Sequence, residues 1–415
     1  MKKKLAIVGS GISAVTCAYY LREDFEISIF EKNDYLGGHT HTHTITEGDQ
    51  KFKIDSGFMV FNRETYKNMV SLFEELGVAT QKTDMSFSVF NKQNGLQYSG
   101  DSFLTLFAQK KNIASFQYWR FLFEAKKFFA VALKDYQHIA GSSETIRDYC
   151  RRNNLSDYFI DNYLAPMSSA LWSVPHVSVY DFPISLLLPF FYNHGLLGAS
   201  GQYQWYTVTG GSDTYTKKII ARANFDIHLN EKVNLVIDTN NRVELKTEQG
   251  AYTFDYVVLA CHANESIDIY KNINSKKREL LELFGYNRNW AVLHTDESIM
   301  PTIKRAWASW NQIIDRSGEK GTTTYWMNNL QKPKAKLNYF VSINPFDNID
   351  KDLTITEMDY EHPNFTVENF KLQKKLPELN HDARVLFAGA YFGYGFHEDG
   401  VKSGLGAVSV LKNLK

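Results

Sequence analysis

The sequence predicts an α/β protein in which the first elements build a parallel sheet with a nucleotide site at its edge. Residues 5–8 are a short apolar run, typical of a strand that is buried on both faces of a parallel sheet. Residues 9–14 follow directly and fit the pattern G-x-G-x-x-(G/A). Residues 12–22 contain no Pro or Gly and predict a helix, and residues 26–30 predict a second strand that ends at Glu31.

Each part of this strand–turn–helix unit suits a dinucleotide. Gly9 permits the tight turn, and Gly11 lets backbone N–H groups approach a pyrophosphate. Ile12 and Ser13 open the helix, whose N-terminus supplies partial positive charge for phosphates. Ala14 is small enough for the helix to pack closely on the strand. The unit therefore predicts a dinucleotide site.

Glu31 and the residues after it narrow the choice of dinucleotide. A carboxylate at this point accepts hydrogen bonds from a ribose, and the lack of a nearby Arg favours FAD or NAD over NADP. The pair Gly37 and Gly38 that follows resembles the glycine pair of the flavin-containing amine oxidoreductase superfamily. This superfamily includes monoamine oxidases, protoporphyrinogen oxidase and phytoene desaturases. In those proteins the glycine pair lets a second loop approach the pyrophosphate.

Further stretches carry the same resemblance. Residues 54–58 look like the family segment beneath the flavin ring, and residues 231–233 with 254–260 look like the strands that carry an adenine-contacting Val and return to the sheet. Residues 385–390 and 398–404 look like the C-terminal flavin motif, whose helix begins beside the flavin. The resemblance implies a discontinuous Rossmann-like FAD-binding domain of the glutathione-reductase type, plus an α+β substrate domain with a mixed sheet and a helical lid. The FAD-binding domain is expected at residues 1–85, 205–285 and 382–415, and the substrate domain at residues 86–204 and 286–381.

The cofactor that the resemblance implies is FAD. It is expected to be non-covalent, because no Cys follows Cys261 to form the C-terminal thioether of monoamine oxidases. Ala390 is a departure: in the family a Glu stands there or one residue later, so one hydrogen-bond acceptor for the cofactor is missing. The residues expected to contact FAD are Gly9, Gly11, Ile12, Ser13, Ala14, Glu31, Lys32, Gly37, Gly38, His39, Thr40, Gly57, Phe58, Met59, Val233, Gly389, Ala390, Glu398, Asp399 and Gly400.

The candidate catalytic residues lie in the C-terminal motif. Alignment of Asp399 and Gly400 with the family's acid–glycine pair places His397 where amine oxidases have a Tyr of their aromatic substrate cage. A His there can donate or accept a proton, and the alternative is a packed His that only shapes the turn. Tyr394 lies in the same loop and is expected to wall the pocket. Amine oxidases also place a Lys near the flavin, and the corresponding residues 287–292 contain none, which argues against classical amine oxidation.

Composition limits the remaining function classes. The chain has 415 residues and is 44% hydrophobic, enough for a large core, and its 46 basic residues balance 46 acidic ones, which argues against a nucleic-acid binder. His39, His41 and His43 alternate with Thr, so an extended strand would put three imidazoles on one face. We predict no metal, because neither a fourth ligand nor a supporting carboxylate is evident.

Location is predicted from Cys content and apolar runs. Three dispersed Cys and the lack of a run long enough to span a bilayer predict a reduced, cytoplasmic protein. Residues 103–133 predict a basic, aromatic-rich helix, which fits either the protein core or a peripheral contact at the inner membrane face.

The leading functional hypothesis is an FAD-dependent oxidoreductase of the desaturase or oxidase type that takes a hydride from an apolar substrate. Residues 36–43, 84–89 and 387–404 look most like a bacterial group of NAD/FAD-binding, amine-oxidase-like proteins. Some members are associated with modified fatty-acid synthesis, so a fatty-acyl lipid is the favoured substrate. The alternatives are an amine oxidase acting on a small amine and a non-catalytic flavin- or lipid-binding protein. No motif specifies the electron acceptor.

Overall fold

The computed structural model describes residues 2–139, 141–172, 176–198, 203–239, 241–381 and 383–414. Its strands are Lys3–Val8 (β1), Phe25–Phe30 (β2), Thr42–Glu47 (β3), Gln50–Asp55 (β4), Phe61–Asn62 (β5), Thr80–Thr83 (β6), Phe87–Asn91 (β7), Leu96–Ser99 (β8), Trp205–Val208 (β9), Asp226–His228 (β10), Val233–Asp238 (β11), Val243–Thr247 (β12), Ala251–Phe254 (β13), Tyr256–Leu259 (β14), Tyr286–His294 (β15), Trp310–Ile314 (β16), Gly321–Trp326 (β17), Phe340–Ile343 (β18), Thr354–Pro363 (β19) and Val385–Phe387 (β20). Its α-helices are Ile12–Leu21 (α1), Lys67–Leu76 (α2), Phe103–Leu106 (α3), Phe116–Asp135 (α4), Ile146–Arg152 (α5), Asp157–Phe159 (α6), Ala165–Trp172 (α7), Ile184–Asn193 (α8), Asp213–Ile220 (α9), Ala263–Ile269 (α10), Ser275–Glu282 (α11), Met327–Leu330 (α12), Val367–Leu372 (α13) and His397–Asn413 (α14). Shorter helical turns are Lys110–Ala114, Ile160–Leu164, His176–Asp181, Glu297–Ile299, Lys304–Ala306, Lys351–Leu353, Gln373–Asn380 and Ala390–Phe392.

A five-stranded sheet carries the amino-terminal glycine turn. Its strands lie in the order β10-β2-β1-β14-β20, and every neighbouring pair is parallel. Leu5 and Ile7 of β1 pack against α1 and α14 on one face, while Ala6 and Val8 pack against β11–β13, α10 and α11 on the other. Residues 5–8 are uniformly apolar because both faces of β1 are covered. The α/β class predicted from the sequence is confirmed.

A seven-stranded sheet forms the second layer. Its order is β19-β15-β18-β17-β16-β7-β8, with β16 and β7 parallel and the other neighbours antiparallel. The helices α4 to α8 share one apolar core with β7, β8 and β16, and α7 packs directly on β16 and β17. The helices therefore cover one face of this sheet.

The single helix predicted over residues 103–133 is wrong. The structure has α3, then a 3-10 turn at Lys110–Ala114, then α4. Ser102 and Ser115 are the reason: their side chains accept the backbone N–H groups of Thr105 and Tyr118, and each starts a separate helix. Within the described residues, no helix has the length and apolar character needed to cross a membrane.

Candidate active site

A cavity of about 1810 Å³ runs from the carboxyl edge of the parallel sheet to the helices that cover the seven-stranded sheet. Val8, Phe30 and Ala260, at the ends of β1, β2 and β14, line one end of it. Residues of α4, α7 and α8 line the other end. Ligands of open α/β sheets bind beyond the carboxyl ends of the strands, so this cavity is the candidate active site.

The glycine turn after β1 opens directly into the cavity. Gly9 has a φ of +98°, and a Cβ there would lie 2.8 Å from the carbonyl oxygen of Ala260, so the turn requires Gly. A Cβ at Gly11 would meet no atom within 4 Å, and no side chain caps the helix that starts at Ile12. Gly11, Ile12 and Ser13 line the cavity. The helix N-terminus is therefore free to receive a phosphate.

Glu31 ties the turn to the next loop. Its buried carboxylate accepts the hydroxyl of Ser10 at 2.6 Å and the N–H of Asn33 at 2.9 Å, and the Ser10 hydroxyl accepts the N–H of Gly37 at 3.0 Å. The sequence analysis did not single out Ser10. Its only signal was its place between the two glycines of the motif. Lys32 forms an ion pair with Glu265 at 2.6 Å at the rim of the cavity.

The second glycine loop packs against the first. Gly37 and Gly38 have φ values of +127° and +59°, and a Cβ at Gly38 would lie 3.2 Å from the Cα of Gly11. A Cβ at Gly57 would lie 2.1 Å from the carbonyl oxygen of His39, so residue 57 must also be Gly. The two loops and Gly57 thus form one backbone-lined wall of the cavity, together with Met59.

His39 occupies that wall as a neutral imidazole. Its ring stacks on Tyr360 and His362, with centroids 5.0 and 5.2 Å apart. Its Nε2 is buried without a hydrogen-bond partner among the described residues. Burial, and then the neighbouring imidazoles, hold the pKa of His39 well below its usual range.

The carboxyl-terminal motif brings His397 to the same wall. Its Nε2 lies 3.2 Å from the hydroxyl of Thr40, which also contacts the hydroxyl of Tyr215, and its ring stacks on Phe58 with centroids 3.9 Å apart. Burial lowers the pKa of His397 to about 3, so the imidazole is neutral at ordinary pH. Phe396, which the sequence analysis missed, lines the cavity beside Tyr394.

Most predicted cofactor residues line the cavity, Val233, Gly389 and Ala390 among them, but a few do not. Glu398 accepts the backbone N–H groups of Asn68 and Met69 and so holds the start of α2. Asp399 accepts those of Tyr394 and Phe396. The predicted residues that lie outside the cavity wall are Ala14, Thr40, Glu398, Asp399 and Gly400. Any contact that these residues make with a cofactor remains a prediction.

The far end of the cavity is lined by apolar side chains that the sequence analysis did not select. Its charged members are Asp84, Asp101 and Lys126. The aromatic and aliphatic members include Leu106, Phe121, Leu122, Ala125, Phe129, Tyr163, Met167, Ala170, Leu171, Trp172, Phe190, Leu196, Trp310 and Tyr325. These side chains come from three separate parts of the chain, so no local sequence pattern predicts that they lie together.

The alternating histidines lie before and at the start of β3. His39 stacks on Tyr360 of β19, and the Nδ1 of His41 lies 3.1 Å from the hydroxyl of the same Tyr360. The rings of His41 and His43 are tilted by 46° with centroids 4.2 Å apart, and the Nε2 of His43 lies 2.7 Å from the hydroxyl of Ser56. Within the described ranges, no group of three or more His, Cys, Asp or Glu is placed to hold a metal ion.

Comparison with known proteins identifies the family. The profile of flavin-containing amine oxidoreductases matches residues 12–297, more than two thirds of the chain. The chain belongs to this family. It is therefore a flavin-dependent oxidoreductase, as the glycine pair and the carboxyl-terminal motif predicted.

Two relatives match parts of the chain. A carotenoid phi-ring synthase of Chlorobaculum tepidum is 25% identical over 187 residues, 40% of this chain and 28% of that protein. A 1-hydroxycarotenoid 3,4-desaturase of Flavobacterium sp. strain P99-3 is 32% identical over 97 residues, 23% of this chain and 18% of that protein. The chain thus spans less than a third of the length of either relative.

Solved structures share the fold over the whole chain. Putrescine oxidase bound to putrescine superposes with a TM-score of 0.67 at 13% identity, covering 100% of this chain and 99% of that one. The CLA-producing fatty acid isomerase from P. acnes superposes with a TM-score of 0.66 at 12% identity, covering 99% and 98%. At this level of sequence identity, the structural similarity establishes the fold of the chain.

Buried histidines make the stability of this oxidoreductase depend on pH. Burial lowers the pKa of His39, His41, His43, His176, His194, His294, His362 and His397. Below a pH of about 6.5 the unfolded chain protonates these groups and the folded chain does not, so the free energy of unfolding falls as pH falls. Four groups act in the opposite direction but are fewer. Burial raises the pKa of Asp55 and Asp399 to about 6 and also raises the pKa of Asp161, and, against the effect of burial, hydrogen bonds to Asp226 and Glu231 raise the pKa of His228.

We therefore expect the melting temperature to fall steadily as pH is lowered from about 7 to about 4.5. Calorimetry in two buffers of different ionisation enthalpy measures the melting temperature and the protons taken up on unfolding. Net proton uptake near pH 5.5 supports the assignment of neutral histidines. A melting temperature that rises over this range, with proton release, contradicts it.

Proposed function

We propose that this protein is an FAD-dependent oxidoreductase that oxidises a long apolar substrate, with a fatty-acyl lipid as the favoured class. The observation that carries the proposal is the far end of the cavity, where aromatic and aliphatic side chains of α4, α7 and α8 surround a volume continuous with the glycine turn. A small amine needs no such chamber, whereas an acyl chain gains about 0.8 kcal/mol for each methylene that it buries.

The division of the chain into two domains is part of the proposal. Residues 1–85, 205–285 and 382–415 would form the Rossmann-like FAD-binding domain of the glutathione-reductase type, and residues 86–204 and 286–381 the substrate domain. All five strands of the parallel sheet come from the first set of segments, and all seven strands of the mixed sheet come from the second. The cavity joins the two sets, which suits a cofactor held by one domain and a substrate held by the other.

The residues at the sheet edge fit FAD. The open space beside Gly11 and the uncapped start of α1 suit a pyrophosphate, and Glu31 lies at the end of β2 as a ribose acceptor requires. The buried Nε2 of His39 and the hydroxyl of Tyr391 have no protein partner among the described residues. A bound polar ligand would satisfy such atoms. We propose non-covalent binding, since the last Cys of the chain, Cys261, precedes the carboxyl-terminal motif.

The chain's own residues would orient the substrate and receive a proton. Bound FAD supplies a hydride acceptor for a C–H bond. If the reaction is a desaturation, a second hydrogen leaves the substrate as a proton and needs an unprotonated base. We assign this role to His397, which is unprotonated, lines the cavity and is held by Thr40 and Phe58. Because burial holds its pKa at about 3, the role requires a bound group that stabilises the imidazolium. Tyr394 and Phe396 would wall the site, and the apolar lining would exclude water.

The names of similar proteins support an apolar substrate. The two relatives act on carotenoids by name, and one structural neighbour is a fatty acid isomerase. Putrescine oxidase represents the alternative of a small amine. The cavity favours the first class because many apolar side chains line its far end, and the charged side chains there are, among the described residues, Asp84, Asp101 and Lys126.

The test is reduction of the bound flavin without oxygen. We expect its visible absorbance to bleach on mixing with phospholipids that carry long acyl chains, and not with putrescine or cyclohexylamine. Bleaching by the amines alone would establish the alternative. Bound flavin that dithionite reduces but that neither class of compound reduces would favour the non-catalytic carrier. Mass spectrometry of a denatured extract identifies the flavin and any co-purified lipid.

Tyr391 provides a separate test of the cofactor assignment. It stands where the family has Glu one residue after Ala390, lines the cavity and keeps a buried, unpartnered hydroxyl. We expect Tyr391→Phe to weaken FAD binding about five- to tenfold, because a hydrogen bond to the cofactor is lost. The flavin-free variant should be as stable as the parent or more so, since no protein bond is broken. Quenching of flavin fluorescence measures the affinity, and unchanged affinity contradicts the assignment.

A further inference from the structure

Half of the large apolar side chains that are exposed in the described residues lie within residues 103–133. We call them the apolar patch. Its seven members, of fourteen such side chains, are Phe103, Leu104, Ile113, Phe116, Trp119, Phe123 and Leu133. Phe116 is 84% exposed, and Phe103 and Phe123 are each 66% exposed. Scattered apolar residues on a surface need no explanation, but a cluster of this kind marks an interaction site.

Three members of the apolar patch, Phe103, Ile113 and Trp119, are held by ring packing on Phe107 and by a hydrogen bond. The rings of Phe103 and Phe107 lie 4.7 Å apart, and those of Phe107 and Trp119 lie 5.2 Å apart. The indole N–H of Trp119 donates to the carbonyl oxygen of Ile113 at 2.9 Å. Phe116, Trp119 and Phe123 follow the spacing of a single helix face. Six of the seven members therefore lie on α3, the 3-10 turn and the first half of α4, and Leu133 lies near the end of α4.

That surface is not the core face of α4. Tyr118, Phe121 and Phe128 point into the protein and are almost fully buried, so the helix already has an inner apolar face. A helix needs one such face to pack on its protein. On the second apolar face of α4, Phe116 is 84% and Phe123 66% exposed, so these two side chains are available to bind something else.

Positive charge surrounds the apolar patch. The exposed basic side chains of this segment are Lys110, Lys111, Arg120, Lys126, Lys127 and Lys134. Between residues 101 and 135 there are three acidic residues, half as many as the basic ones. Glu124 is buried and paired with Arg120 at 2.9 Å, Asp135 lies 3.6 Å from Arg152, and Asp101 is exposed. The chain as a whole has no net charge, so this excess is local. Aromatic residues ringed by Lys and Arg are what binding to an anionic lipid surface requires.

The cavity opens beside the same helix. Leu122, Ala125, Lys126, Phe129 and Ala130 of α4 line the cavity, and Lys126 and Ala130 are also exposed to solvent. The helix α4 therefore carries part of the apolar patch on one face and lines the cavity with an adjacent face. A lipid chain that leaves a bilayer beneath this helix would meet the cavity at Lys126 and Ala130, the exposed lining residues of α4.

We propose that the apolar patch docks the protein on a bilayer that contains anionic phospholipid, with the mouth of the cavity facing that bilayer. A second copy of the chain is the other occupant to consider. It is disfavoured because two such surfaces would bring like charges together. The docking goes beyond the proposed function and does not depend on which substrate is oxidised.

The test is sedimentation of the 415-residue protein with vesicles. We compare vesicles of phosphatidylcholine alone with vesicles that contain about a quarter phosphatidylglycerol, and expect at least about tenfold stronger binding to the anionic ones. Binding to the anionic vesicles should weaken at high salt, because exposed charges are screened. Phe116→Ser with Phe123→Ser should lower the affinity at least about tenfold, and Lys126→Gln with Lys127→Gln should remove most of the preference for anionic vesicles.

The matched control is Leu337→Ser with Ile355→Ser. These side chains are 54% and 42% exposed and lie outside the patch, so vesicle binding should not change. Equal loss in the control, equal binding to neutral and anionic vesicles, or no binding by the parent protein would each overturn the proposal. So would a dimer in lipid-free buffer that the two Phe substitutions dissociate, which would assign the patch to a second copy. No readout involves turnover, so the result is separate from that of the proposed function.

Discussion

Replacement of Gly11 by Val is expected to give a folded protein that binds no flavin. Gly11 has a φ of −64°, which any residue adopts, and a Cβ there meets no protein atom within 4 Å. The Cβ of Val therefore meets no protein atom, and the melting temperature of the flavin-free variant checks that the rest of the side chain is tolerated. The Val side chain fills the space through which the backbone of the glycine turn would approach a pyrophosphate. We expect FAD affinity to fall at least about 100-fold, which is about 2.7 kcal/mol of binding free energy.

The measurements are the ratio of flavin to protein after saturation with FAD, and the melting temperature of the flavin-free protein. Gly285→Val is the matched control, because a Cβ at Gly285 also meets no atom within 4 Å and the residue does not line the cavity. Gly9 is unsuitable, since its φ of +98° and the nearby Ala260 carbonyl would make any side chain destabilise the fold. A Gly11→Val protein that binds FAD as tightly as the parent would place the cofactor elsewhere.

The sequence predicted the glycine turn well because its constraints are local. Gly9, Gly11 and Glu31 lie within one strand–turn–helix–strand unit, whose backbone requirements are written in consecutive residues. The same holds for the pair Gly37 and Gly38, whose positive φ values only glycine adopts without cost. The residue types in such motifs indicate the backbone conformation that the turn requires, so the turn can be predicted before any tertiary contact is known.

The rest of the site depends on contacts between distant parts of the chain. His39 was predicted as a cofactor contact, but its neighbours Tyr360 and His362 lie on β19, more than three hundred residues away in sequence. Glu398 was expected to contact the cofactor, yet its side chain binds the start of α2. Which way a side chain turns at a helix start depends on the element packed beside it, and no periodicity encodes that neighbour.

Helix boundaries failed for a different reason. Residues 103–133 have the aromatic and basic content of one long helix, but Ser102 and Ser115 each accept a backbone N–H and start separate helices. A Ser that starts a helix cannot be told from a Ser inside one by composition alone. The error matters for function, because the break lets Phe103 of α3 and Trp119 of α4 pack on the same ring, that of Phe107, and so joins the two helices in the surface that we assign to the bilayer.

Replacement of Ala125 by Trp is expected to separate cofactor binding from turnover. Ala125 lines the cavity from α4, between Leu122 and Phe129 on the same helix face, at the end opposite the glycine turn. An indole there would occupy the chamber that we assign to the acyl chain. We expect FAD content to be unchanged and kcat/KM for a long-chain lipid to fall about 100-fold, which is about 2.7 kcal/mol of transition-state stabilisation. Substrates with short acyl chains should lose much less.

The control for this prediction is Ala221→Trp, which adds the same side chain at an exposed position after α9 that does not line the cavity. It should leave both FAD content and kcat/KM unchanged. The informative quantity is the dependence of kcat/KM on acyl-chain length in the parent and in Ala125→Trp. If the variant loses activity equally for long and short chains, or not at all, the chamber does not hold the substrate. If the variant also oxidises a small amine as fast as the parent protein does, the hypothesis of a small-amine substrate is favoured instead.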